Sequence, residues 1–91
     1  MRECMDVDAV VARLKRIEGQ VRGIMNMVQK DVPCEDILVQ IGAAKSALHK
    51  TGQVILEGHL HHCVLDGIAH GNSDETIDKL AKAIEQFSRM S

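Results

Sequence analysis

Val10, Leu14, Ile17, Val21, Ile24 and Val28 recur at a 4-3-4-3-4 spacing. This is an a/d heptad seam, the pattern of a helix that lays one apolar face along a partner helix. It predicts one long helix over residues 6–30. Asp31-Val32-Pro33 then breaks the pattern, because Pro disfavours helix in the residue before it and is tolerated in a first helical turn. A second helix therefore starts here, with Ile37, Ile41, Ala44, Leu48 and Ile55 on a similar spacing, and is expected to run to about Ile68. Gly42, Gly52 and Gly58 weaken it by up to ~1 kcal/mol each and leave room for close helix approach. His70-Gly71-Asn72-Ser73 reads as a turn, and Asn72 followed by Glu75 resembles a capping box. The third helix is expected over about 74–89, with Ile77, Leu80, Ala81, Ile84 and Phe87 on its buried face. The fold class is all-α, three helices per chain in the order long, long, short. The two long helices form an antiparallel hairpin, and two hairpins make a four-helix bundle.

The 91 residues read as a single helical domain over 1–91, with residues 1–5 expected to be disordered. The chain has one Phe and no Trp or Tyr. A small core without aromatics is thin, so oligomerisation, a metal or both are expected. The same lack argues against base stacking on single-stranded nucleic acid. No apolar run reaches about 18 residues, so no membrane span is expected. The first residues, MRECMDVDAVVARLK, carry acids where a signal peptide has its apolar stretch, and a cytoplasmic location is expected. No Gly-rich phosphate loop, paired acid/base carboxylates or pocket-forming sheet supports an enzyme, so a thiol enzyme built on Cys63 and a neighbouring His is set aside.

Three cysteines, Cys4, Cys34 and Cys63, are an odd count and are read as reduced thiols. Cys4 is given no role. In His59-Leu60-His61-His62-Cys63, His59 and Cys63 lie four apart and project from one helical face. His-x3-Cys on a helix is half of a soft-metal site. Cys34 precedes His59 by 25 residues, about 38 Å along a continuous helix, so the three cannot meet within one helix. In a two-fold antiparallel dimer, Cys34 of one subunit meets His59 and Cys63 of the other. Two thiolates and one imidazole suit Cu(I) in trigonal geometry. Zn(II) would want a fourth ligand from His61, His62 or water. His49 and His70 are read as surface residues, and Met25 and Met27 as packing.

Arg13, Lys15, Arg16, Arg22 and Lys30 stand against one acid, Glu18, a balance of +4 over residues 13–30. Lys79, Lys82 and Arg89 stand against six acids over residues 51–91, a balance of −3. Lys15 and Arg22 share one stripe of the first helix, and Arg13, Arg16 and Gln20 share another. One such segment is ordinarily a solvated face, but an oligomer repeats it and builds a basic surface that a monomer lacks.

The stretch RLKRIEGQVRGI (residues 13–24) resembles the signature of the CsoR/RcnR-type repressors, as does CEDILVQI (34–41). GHLHHCV (58–64) resembles their copper-sensing branch, the copper-sensitive operon repressors. The three motifs fall in register over about residues 10–87. The resemblance implies a homodimer that pairs into a homotetramer, binds double-stranded operator DNA without a helix-turn-helix, and releases it when ligand binds at the dimer interface. It implies Cu(I) as effector, held by Cys34, His59 and Cys63. It implies DNA contacts from Arg13 and Lys50, with Lys15, Arg16 and Arg22 as neighbours. Lys50 stands where an Arg is common, which keeps a phosphate contact without bidentate geometry.

Two positions depart from that pattern. Pro33 stands where copper sensors carry Tyr, and Lys79 where they carry a Glu that orients the His ligand. A sister branch senses reactive sulfur species through the two equivalent cysteines and lacks the His. A persulfide-sensing repressor using Cys34 and Cys63 is therefore the alternative. A copper chaperone or storage bundle would bind metal without DNA, and the basic segment from Arg13 to Arg22 argues against it.

Overall fold

The structure, a computed structural model, describes residues 5–60, 69, 71 and 73–89. It contains α1 (Val7–Gln29), α2 (Cys34–Gly58) and α3 (Ser73–Ser88), with no strand among the described residues. Asp6 caps α1 by accepting a hydrogen bond from the Ala9 amide at 3.1 Å. Such a cap satisfies one of the amide donors left free at a helix start. Asn72, the expected cap of α3, lies outside the described residues.

The break between α1 and α2 is built on a left-handed residue. Asp31 has φ 60°, the Val32 amide donates to the Met27 carbonyl at 3.1 Å, and the Asp31 amide donates to the Val28 carbonyl at 3.4 Å. This pair of bonds is a Schellman motif, which closes the helix end and turns the chain back. Pro33 follows with φ −53°, and its carbonyl accepts from the Asp36 and Ile37 amides to start α2. The tight connection makes α1 and α2 an antiparallel hairpin packed along its length.

The heptad seam of α1 divides into two rows. Val10 and Ile17 are buried and Ile24 is half-buried, whereas Leu14, Val21 and Val28 are exposed. On α2 the inward row is Ile37, Ala44 and Thr51, of which Ala44 and Thr51 are buried; Ile41 and Leu48 are exposed. The hydroxyl of Thr51 donates to the Ala47 carbonyl at 2.8 Å, so the one buried polar residue among those described is satisfied within its own helix. One row of each helix thus serves the hairpin, and the other is left without a partner in the single chain.

The third helix corrects the sequence expectation. Leu80 and Phe87 are half-buried, but Ile77, Ala81 and Ile84 are exposed, so the face expected to be buried is only partly covered. Phe87 is the main anchor. Its ring lies on Gly52, where a Cβ would overlap it, and stacks on His49. The absence of a side chain at residue 52 therefore gives α3 its seat on α2. The chain measures 57 × 26 × 13 Å with a radius of gyration of 17.0 Å. A compact fold of this length would have about 12 Å. No helix among the described residues is long and apolar enough to cross a membrane.

Candidate metal centre and nucleic-acid interface

Cys34 is the first residue of α2 and carries an exposed, free thiol. His59 follows the last residue of the same helix, and its backbone amide donates to the Ile55 and Leu56 carbonyls. His59 and Leu60 carry the helix onward in a wider π turn, a geometry frequent at functional positions. The 25 residues of α2 hold the two side chains about 38 Å apart. Cys63, His61, His62, His70 and Cys4 lie outside the described residues. Among the described residues, no three His, Cys, Asp or Glu side chains come together to hold a metal ion within one chain.

His59 is half-buried on the wall of an apolar cavity of about 340 Å³ between the C-terminal part of α2 and α3. Gly52, Ile55 and Leu56 line it from α2; Leu80, Ala83, Ile84 and Phe87 line it from α3; Met5 closes it from the N-terminal side. Lys79 takes no part in this wall. Its ammonium pairs with Glu75 at 3.1 Å on the exposed side of α3. The residues that α3 presents to the cavity of His59 are thus all apolar.

The basic residues divide as well. Arg13, Arg16 and Gln20 from α1 and Lys50 from α2 line one groove of about 280 Å³, whose floor includes Ile17, Ala47 and Thr51. Three cations thus converge from two helices. Lys15 is exposed outside this groove. Arg22 is occupied locally, donating to the Glu18 carboxylate at 2.8 Å across one helical turn. Positive charge concentrated in a concave surface attracts phosphate more strongly than the same charges scattered.

His49, expected at the surface, is half-buried and stacks on Phe87 with centroids 4.9 Å apart and planes 9° from parallel. No signal near residue 49 announces this, because the partner lies 38 positions away in sequence. A second apolar groove of about 410 Å³ runs between Val21 and Ile24 of α1 and Ile41, Ala44 and Leu48 of α2, with Phe87 at its edge.

The model of a family described as metal-sensitive transcriptional repressors matches residues 6–86. The copper-sensing transcriptional repressor CsoR of Bacillus subtilis is 48% identical over 82 residues, which cover 90% of this chain and 81% of the relative. The crystal structure of the copper-sensing repressor CsoR with Cu(I) from Geobacillus thermodenitrificans superimposes with a TM-score of 0.87 at 44% identity, covering 90% of this chain and 85% of that one. The nickel-responsive transcriptional regulator InrS superimposes with a TM-score of 0.81 at 35% identity, covering 90% and 92%. The helical hairpin thus sits on a shared fold, and the chain belongs to the metal-sensitive transcriptional repressor family.

Proposed function

We propose that this chain is a copper(I)-responsive, DNA-binding transcriptional repressor that leaves operator DNA when Cu(I) binds between subunits. The observation that carries this reading is the placement of Cys34 and His59 at opposite ends of α2, on a hairpin that leaves Leu14, Val21, Ile41 and Leu48 uncovered. A second copy packed antiparallel on that apolar face brings the start of one α2 to the end of the other. Cys34 of one subunit then joins His59 and Cys63 of its partner, and a two-fold dimer holds two such sites. A pair of dimers making a homotetramer repeats the basic groove.

The donor set fits the ion. Two thiolates and an imidazole are soft ligands suited to three-coordinate Cu(I), whereas Ni(II) favours tetragonal nitrogen and oxygen sites. Cu(I) supplies a bridge between chains that neither chain makes alone. The thiol of Cys34 is open to a partner. His59 stands on an apolar wall. Arg13, Arg16 and Lys50 hold the phosphate backbone of a duplex, with Lys15 and Arg22 on its flank. A bound-state preference of about 1–3 kcal/mol between two tetramer shapes changes DNA affinity about 5–150-fold. A repressor of this kind works in the cytoplasm and catalyses no reaction.

The decisive measurement is titration with Cu(I) under a strong chelator while operator release is followed by fluorescence anisotropy. Full metal occupancy with unchanged DNA affinity removes the reading. The exposed thiol of Cys34 favours one alternative, a persulfide-sensing repressor in which Cys34 and Cys63 form an intersubunit di- or polysulfide. Mass spectrometry after polysulfide treatment tests it, since the absence of an intersubunit adduct between Cys34 and Cys63 removes it.

A further inference from the structure

One turn of α2, from His49 to Gly52, has a different neighbour on each side. His49 and Gly52 face α3: the ring of Phe87 stacks on the imidazole at 4.9 Å and rests on the Gly52 backbone. Lys50 and Thr51 face the other way, into the groove with Arg13 and Arg16. Successive helical residues are about 100° apart, so a rotation or bend that moves Gly52 under Phe87 also moves Lys50 against the α1 cations. The same ring closes the cavity that holds His59, which stands two turns further along α2, about 10 Å away. His59 is the one ionisable residue on that wall among those described, and α3 meets it only with apolar side chains. His59 faces α3 across this cavity, and the direct contact between the two helices is Phe87 on Gly52 and His49, on the same wall. A shift of the ligand end of α2 therefore reaches α3 through the ring of Phe87, which a movement of Gly52 or His49 displaces directly.

From this geometry we infer that Phe87 is a positioning residue for the regulatory response, linking the ligand end of α2 to the spacing of its basic groove. The inference rests on the copper-responsive reading above and adds to it the residue through which occupancy at His59 reaches Lys50.

The test uses the full chain with Phe87→Ala, Phe87→Leu, Gly52→Ala and the Gly52→Ala/Phe87→Ala double variant. Three quantities are measured for each: operator affinity without metal, operator affinity with Cu(I), and Cu(I) affinity by chelator competition. Wild type is expected to lose at least about tenfold in operator affinity on loading, within the usual range of such couplings. Phe87→Ala and Gly52→Ala should bring that loss to about threefold or less, with metal-free operator affinity and Cu(I) affinity each held within about threefold. Phe87→Leu, which keeps apolar bulk and loses the flat stack, should fall between, and it carries the test should Phe87→Ala fail to fold. The double variant should couple no worse than Phe87→Ala, because the added methyl then meets no ring. A response like that of wild type in Phe87→Leu and Gly52→Ala overturns the inference and leaves the repressor reading intact. A wild-type protein that keeps its operator affinity when fully loaded overturns the reading and the inference together.

Discussion

Cys34 opens α2 and His59 follows its last residue, so the length of one helix, about 38 Å, stands between two side chains of the proposed donor set. On the proposed reading, the donors that serve one ion come from two chains. This gives a complementation test. Cys34→Ser and His59→Ala homodimers should each lose tight Cu(I) binding. A heterodimer of the two variants pairs the intact Cys34 of one chain with the intact His59 and Cys63 of the other, and should regain one tight site per dimer. Chelator competition on mixed and unmixed samples reads this directly, and equal weakness in both would contradict an intersubunit site.

The basic groove predicts a graded effect of charge removal. Arg13→Ala and Lys50→Ala should weaken operator and non-operator DNA alike. Each should lower the dependence of log K on log salt by about 0.9 for every phosphate it no longer neutralises. Arg22→Ala should do less, because that guanidinium lies outside the groove and pairs with Glu18 on the exposed face of α1. Anisotropy at several salt concentrations checks both, and Cu(I) affinity should change little in all three variants. A larger salt effect for Arg22 than for Arg13 would move the interface off the groove.

Asp31 occupies a left-handed conformation that costs a residue with a Cβ about 1 kcal/mol. Asp31→Gly should therefore stabilise the protein by about 0.5–1 kcal/mol, and thermal unfolding should show the midpoint rising by a few degrees. Operator binding should be unaltered, since the Schellman turn stands apart from the basic groove.

The two rows of the α1 seam should respond differently to substitution. Ile17, 6% exposed, packs within the hairpin, and Ile17→Ala should cost about 2–4 kcal/mol. Val21, 45% exposed in the single chain, lies on the uncovered face. Val21→Asp should shift sedimentation equilibrium toward the single chain while Val21→Ile leaves the assembly state unchanged. Unaltered mass in Val21→Asp would place the contact between copies elsewhere.

Much of this architecture is legible in the sequence because it is local. The seam from Val10 to Val28 places α1 to within a residue or so at each end, and the Asp31-Val32-Pro33 break fixes the hairpin. Which half of the seam faces inward is not local, since both rows have the same period and the choice depends on where α2 lies. The face of α3 misleads for a related reason: Ile77 and Ile84 are apolar at helical spacing, yet the single chain offers them little to pack on. His49 reads as a surface residue because its stack with Phe87 depends on a contact across 38 positions. Gly52 signals close approach without indicating what approaches. Arg13, Arg16 and Gln20 come together by spacing alone, whereas the addition of Lys50 to their groove requires the hairpin. Cys63 and its neighbours His61 and His62 fall outside the described residues, so their part in the donor set rests on sequence.

The divided seam also bears on how the protein persists in a cell. With only Val10, Ile17 and Ala44 as buried apolar residues among those described, the single chain has a thin core, and in the proposed oligomer its companions add to its stability. Folding and association then become one mass-action equilibrium, and the unfolding temperature rises with the number of copies present. On that proposal, chains made at low abundance are the ones most open to proteolysis, and the supply of working regulator rises more steeply than the rate of its synthesis.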